Sequence, residues 1–262
     1  MIFRRRRKDD EPVEAVETDQ DQTAQDEVDE SADVEAADDG SGDDGSAESE
    51  DGAATDLDVD ALDSRDWRGA GPWDVSEVDL DIEPLPGRAR IDLGSMIVTG
   101  SGGAELRLQV AEETQQIVSA MLIKGDSALE LGAYAAPRSG GLWPELRDEI
   151  IEAATEAGGS AALVEGPFGV ELRRLLPVTT PDGEQGYQPS RMWVVEGPRW
   201  LLRGILYGQA ALEDGLEPPV ADLLTAFREV VVRRGEEAKS PGDLLPLVIP
   251  DDVEPGQDQS DD

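Results

Sequence analysis

Arg138 stands in Pro137-Arg138-Ser139-Gly140-Gly141, ahead of a segment with helical spacing. Free backbone N–H groups at a helix start, beside a guanidinium, are the ingredients of an anion contact. The loop lacks the Walker spacing with its lysine, and it is not G-x-G-x-x-G. Arg199 and Arg203 are four residues apart on a strand-like stretch, which by parity puts both on one side with Leu201 between them. These three arginines are the candidate anion contacts. The basic pairs Arg173-Arg174 and Arg233-Arg234 complete the set from which a positive groove could be built. Against that, residues 67–249 hold 29 acids and 16 bases, so pairing with neighbouring carboxylates is the default for any arginine.

The chain contains no His and no Cys. Ser-His-Asp and Cys-His nucleophiles are therefore excluded, and the usual zinc ligands are missing. Only Lys8, Lys124 and Lys239 are available for amine chemistry. Adjacent acids such as Glu112-Glu113, Asp148-Glu149 and Glu236-Glu237 fall in turns or on outer helix faces, where solvated surface charge is the ordinary reading. No catalytic, cofactor-binding or metal residue is assigned, and no cofactor is expected.

The elements that would position these residues occupy the middle of the chain. Between Asp9 and Asp66 there are 25 acids against the single base Arg65, behind the basic run Arg4–Lys8. All five Trp, all three Tyr and two of the three Phe lie beyond that stretch. A segment without aromatic residues cannot bury enough apolar surface to offset its ordering entropy. The expected organisation is a disordered region over residues 1–66, with its basic head at 4–8 and its acidic tail at 9–66. One α+β domain follows over 67–250, and a second disordered acidic tail over 251–262.

Inside the domain, Gly69-Ala70-Gly71-Pro72-Trp73 reads as a turn into an extended segment. There Asp74, Glu77, Asp79 and Asp81 alternate with Val75, Val78, Leu80 and Ile82. Strands are predicted at 89–98, 105–110, 117–124 and 127–136, the last three as an antiparallel meander. A helix is predicted over 142–157 from Leu142, Leu146, Ile150 and Ile151, and Gly158-Gly159 ends it. Strands at 170–178, 190–195 and 200–207 precede a second helix over 220–232. Both halves read strand, strand, strand, helix, which suggests a degenerate βββα duplication. The expectation is a mostly antiparallel sheet carrying the two main helices on one face, with residues 244–250 as an apolar strap on the domain surface. Four of the tryptophans, Trp73, Trp143, Trp193 and Trp200, lie beside turns or inside elements and read as core or core-edge residues.

Gly71-Pro72-Trp73-Asp74, Arg90-Ile91-Asp92-Leu93-Gly94-Ser95, Ala135-Ala136-Pro137-Arg138-Ser139-Gly140-Gly141-Leu142-Trp143, Glu165-Gly166-Pro167-Phe168-Gly169, Gly197-Pro198-Arg199-Trp200 and Asp243-Leu244-Leu245-Pro246-Leu247 together resemble an actinobacterial family known as domain of unknown function 3710. The likeness covers residues 67–250. It implies an actinobacterial, cytosolic protein, and it implies no reaction.

A net charge of −38 disfavours direct contact with nucleic-acid phosphates, and no apolar run is long enough to span a membrane. With no cysteine, the expected location is cytoplasmic. The reading is an uncharacterised, non-enzymatic protein-interaction module with a polyanionic tail, its partner a protein for which the charge favours a basic surface. Two alternatives stand beside it. One is a regulator acting near nucleic-acid-binding proteins through phosphate mimicry by the tail. The other is a binder of small anionic ligands.

Overall fold

The computed structural model describes residues 57–249, apart from Glu83, Leu85, Gly87, Ser101, Gly102, Glu112, Glu113, Gln115 and Pro181. The basic head, most of the acidic tail and residues 251–262 lie outside the described residues. The described residues begin at Leu57, ten residues before Trp67. Helix α1 (Val59–Asp63) is capped by Asp58, whose carboxylate accepts from Ala61 N at 2.9 Å.

β1 (Trp73–Asp74), a 3-10 turn at Val75–Glu77, β2 (Ala89–Asp92) and β3 (Met96–Gly100) come next. The meander β4 (Glu105–Ala111), β5 (Gln116–Lys124) and β6 (Ser127–Ala135) leads to α2 (Leu142–Glu156). Then follow β7 (Ser160–Gly166), β8 (Gly169–Thr179), β9 (Gln185–Gly197), β10 (Trp200–Gly208), α3 (Gln209–Leu212), α4 (Val220–Arg228) and β11 (Val231–Val232).

β4 to β10 form a seven-stranded antiparallel sheet in the order β4-β5-β6-β10-β9-β8-β7. The central strands are apolar on both sides. On β10, Trp200, Leu202 and Leu206 join one core cluster, while Leu201 and Ile205 join the other, and all are at most 4% exposed. A sheet with two apolar faces must be covered twice. α2 covers one face, with Leu142, Trp143, Leu146, Ile150 and Ile151 packed toward Leu172, Met192, Val194 and Leu201. The other face receives α4, whose Val220, Leu223, Leu224 and Phe227 recur at helical spacing. A four-stranded sheet, β1-β11-β3-β2, shares that core through Met96, Val98 and Val232. At its centre Phe168, Trp193 and Phe227 meet with ring centroids 4.8–6.0 Å apart. Gly204 is required there, because a Cβ would stand 2.6 Å from the Phe227 ring.

The architecture is α+β and mainly antiparallel, as expected, and several local readings change. The two main helices lie on opposite faces, not one, because the strands alternate two apolar sets and not an apolar with a polar set. The strand orders of the two halves correspond, β4-β5-β6 and β8-β9-β10 meeting at the β6–β10 pair, while α2 and α4 cover opposite faces. Residues 89–98 are a hairpin and not one strand: Gly94 turns the chain at φ 82°, and its N–H donates to Asp92 Oδ1 at 2.8 Å. The extended segment after Trp73 ends at Asp74, whose carboxylate and Glu77 form a capping box that winds the 3-10 turn. β7 is an addition; its short side chains in Ser160-Ala161-Ala162 give little strand signal. α4 stops at Arg228 and the chain re-enters a sheet at β11. The strap lies on the surface through Pro246, Val248 and Ile249 and sinks two residues into the core. Ala135 N donates to Asp243 O and Leu245 N to Ala133 O, so it runs beside β6, and Leu245 and Leu247 are buried.

Candidate functional site

The loop carrying Arg138 does open α2, with Gly141 at the cap position in a left-handed conformation, φ 85°. The helix start is already occupied. Glu196, from the end of β9, places Oε1 2.7 Å from Trp143 N and so supplies the negative charge that the helix terminus favours. Arg138 is exposed beside it. A cleft of about 330 Å³ opens here, lined by Trp67, Arg68, Gly140, Trp143, Phe168 and Glu196 among others. In this region Glu196 Oε2 and Trp143 Nε1 are buried without a hydrogen-bond partner. Arg68 is fixed by two 2.9 Å bonds to Glu77 and stacks 5.4 Å from the Trp200 ring centroid. The bonds from Arg68 hold the Glu77 carboxyl below its ordinary value, against the effect of burial.

Arg199 lies in the turn before β10 with φ 63°, so strand parity does not extend to it and it does not share a side with Arg203 on that ground. Its carbonyl accepts from Ala136 N at 2.9 Å and from Arg234 Nε at 3.1 Å. Arg203 sits on the α2-side face of β10. Its guanidinium stacks 5.0 Å from the Tyr134 ring centroid and comes within 3.7 Å of Glu130 Oε1. Tyr207, on the same face, donates its hydroxyl to Glu130 Oε2 at 3.1 Å. Burial, with Glu130 alongside, pushes the Tyr207 phenol up to about 12. Arg174 belongs to this group as well, since it interacts electrostatically with Tyr207, Arg203 and Glu130. The sequence names Arg174 only as half of a basic pair. Neighbours on a strand face opposite ways, and Arg173 goes to the other face, where it meets Glu171 and Asp214.

That other face holds a closed ion pair. Glu171, 1% exposed, accepts from Arg191 Nε at 2.8 Å and Nη2 at 3.0 Å, and from Trp193 Nε1 at 2.6 Å. Arg191 Nη1 also donates to the carbonyls of Glu213 and Gly215, which ties the loop after α3 to the sheet. Among the described residues, no group of three His, Cys, Asp or Glu side chains is placed to hold a metal ion.

A third feature lies at the sheet margin. β7 pairs with β8 only as far as Ser160–Leu175, and β10 pairs with β9 only as far as Leu206–Arg191. β8 and β9 continue pairing without them to Thr179–Gln185, forming a two-stranded arm. One face of the arm carries Leu175, Pro177, Tyr187 and Pro189. Tyr187 is 62% exposed and Leu175 39%.

With the fold and these surfaces in view, the chain is an antiparallel-sheet α+β domain. It matches the family described as a protein of unknown function (DUF3710) over residues 71–256 and belongs to that family. None of the curated proteins matches it. Among solved structures, the chain is similar to cyanobacterial PsbP (CyanoP) from Synechocystis sp. PCC 6803 at 12% identity and a TM-score of 0.34, over 57% of this chain and 94% of that one. No helix among the described residues is long and apolar enough to cross a membrane.

Proposed function

We propose that the domain is a non-enzymatic protein-interaction module, and that its partner docks on the β8–β9 arm. The observation that carries this reading is the arm itself. A two-stranded ribbon beyond its sheet is marginal on its own, and this one exposes Tyr187, Leu175 and Pro177 to solvent. Exposed aromatic residues on a protruding element are typical anchors of a protein interface. Between Leu175 and Pro189 the arm carries Asp182 and Glu184 and no base, so the favoured partner surface is basic. A cysteine-free composition fits a cytoplasmic setting for this encounter.

The test is a photo-crosslinking residue at position 187, compared with one at the exposed Ile82, in cells that make the protein naturally. A single adduct at 187 that is absent at 82, and that survives deletion of residues 1–56, is expected. Identical adducts at both positions would end the reading. The 25 acids between Asp9 and Asp66 motivate a second reading, in which the tail imitates nucleic-acid phosphates toward a basic protein. An adduct that disappears with the tail but persists in Tyr187→Ala would favour that one.

A further inference from the structure

We infer that the α2-side face of the sheet carries a binding site for a small oxyanion, a phosphomonoester or carboxylate group, held between Arg174 and Arg203 with Tyr207 and Tyr134 at its edges. Four other buried or half-buried arginines of the domain are each held by a carboxylate. Arg68–Glu77, Arg147–Asp63, Arg191–Glu171 and Arg233–Asp92 are each closed by two N–H···O bonds of 2.8–3.0 Å. Among the described residues Arg174 makes no such bond, and the carboxylate paired with Arg203, that of Glu130, stands at 3.7 Å. The Nε of both arginines is buried without a hydrogen-bond partner. Arg147 and Arg228 also keep a buried Nε without a partner, but Arg174 and Arg203 do so on one face of the sheet, where both are drawn to the same carboxylate, Glu130.

Register brings the group together. Arg174 pairs with Ser190, and Leu206 pairs with Arg191, so Tyr207 is level with Ser190 on the next strand. Arg174, Ser190 and Tyr207 therefore form a row across β8, β9 and β10, with neighbouring strands ~4.8 Å apart. Arg203 is four residues before Tyr207 on the same face, and Glu130 on β6 pairs with Ile205 between them. α2 walls one side, because Tyr134 and Tyr207 pack in the same cluster as Leu146, Ile150 and Ile151. The occupant must accordingly be small.

Charge defines its chemistry. The groups felt by Arg174 are Tyr207, Arg203 and Glu130, and no acid of α2 is among them. Burial holds the Arg174 guanidinium below its ordinary value, and Arg203 adds to this, against the pull of Tyr207 and Glu130. Glu130 already takes the Tyr207 hydroxyl on one oxygen and faces Arg203 with the other. One carboxylate thus serves two guanidiniums, and the site lacks one negative charge. Guanidinium forks match the planar or tetrahedral oxygens of carboxylate and phosphate.

The experiment is thermal unfolding of the full chain at constant ionic strength, with chloride replaced stepwise by inorganic phosphate or by acetate. Binding raises Tm by about 3–6 °C at ten times Kd. The anion giving the larger rise at equal concentration identifies the ligand group. Arg174→Gln and Arg203→Gln are expected to lose the rise, and Arg138→Gln, an exposed arginine outside the cluster, to keep it. No rise with either anion overturns the proposal, as does an undiminished rise in Arg174→Gln. Should that variant fail to fold, the Nε–Hε resonances of Arg174 and Arg203 in the unaltered protein replace it. They must shift and saturate with the effective anion, and unmoved resonances overturn the site.

Discussion

The seven-stranded sheet holds one cluster of buried charge on each face, and the two clusters are built differently. On the α4 side, Glu171 and Arg191 are 1% and 2% exposed, and their hydrogen-bonding capacity is consumed by each other, by Trp193 and by two carbonyls. On the α2 side, Arg174 and Arg203 share Glu130 and keep buried N–H groups open. The first arrangement fixes a loop to a sheet and has nothing left to offer a ligand. The second leaves buried donors unspent on the face that α2 covers. In an acid-rich domain carboxylates are the cheap component, so an open arginine is more informative than a paired one.

The largest expected effect comes from breaking the closed pair. Glu171→Ala leaves Arg191 buried without a counter-charge and strands Trp193 Nε1, which costs about 3–5 kcal/mol. Chemical unfolding should show that loss, with Tm falling by roughly 10 °C. The double variant Glu171→Leu with Arg191→Met should recover much of it, because the pair's desolvation penalty disappears with the pair. A double variant as unstable as the single one would mean that the carbonyl contacts to Glu213 and Gly215, and not the ion pair, dominate this face.

A smaller effect is expected at Asp74, on the same side. Trp200 is fully buried and donates Nε1 to Asp74 Oδ2 at 2.8 Å. Burial alone would raise the Asp74 carboxyl, but bonds from Ser76 and Trp200, with Arg68 nearby, hold it below its ordinary value of 3.8. A carboxyl whose folded pKa is depressed contributes stability that is present above the unfolded value and lost as pH falls through the folded one. Stability should therefore decline below pH 3.8, and less steeply in Asp74→Asn. At neutral pH Asp74→Ala should cost about 1–3 kcal/mol for the unpaired indole N–H. A pH profile unchanged by Asp74→Asn would move the acid sensitivity to other depressed carboxyls, such as Glu77 and Asp92.

The difference between the faces also marks how far the sequence could be read. Period-two alternation located the β4–β5–β6 meander, and helical spacing located α2, because those patterns are local. Strands 190–195 and 200–207 were legible as apolar runs. Which side each residue faced was not, since Trp200 and Leu201 are equally buried on opposite faces. That ambiguity put both helices on one face. β7 and β11 escaped for lack of length or apolar bulk, and they become strands through partners distant in sequence. Arg203 was visible as a candidate by parity. Arg174 was not, because its link to Arg203 exists only once β8, β9 and β10 are known to be neighbours. Arg138 illustrates the converse: its helix terminus was legible, while the Glu196 carboxylate that fills it arrives from residues far along the chain.

The smallest expected effect is the sharpest test of the comparison. Arg174→Leu removes a charge that has no hydrogen-bonded partner among the described residues, and it leaves an apolar side chain on the face of the sheet that α2 covers. If Arg174 were structural in the way Arg191 is, the loss would be several kcal/mol. If it is held open for an anion, its burial is already a cost to the ligand-free fold, and removing it should change stability by no more than about 0.5 kcal/mol or increase it. Tyr207 provides a second reading on the same variant. Its folded pKa of about 12 lies above the ordinary 10.0, so the unfolded chain ionises first and stability falls as pH rises from 10 toward 12. Arg174 pulls that value down, so Arg174→Leu should raise it further and steepen the alkaline loss, measurable by tyrosinate absorbance and by unfolding at each pH. A variant with lower stability at neutral pH and an unchanged tyrosinate titration would put Arg174 with the structural arginines, and the contrast between the two faces would no longer hold.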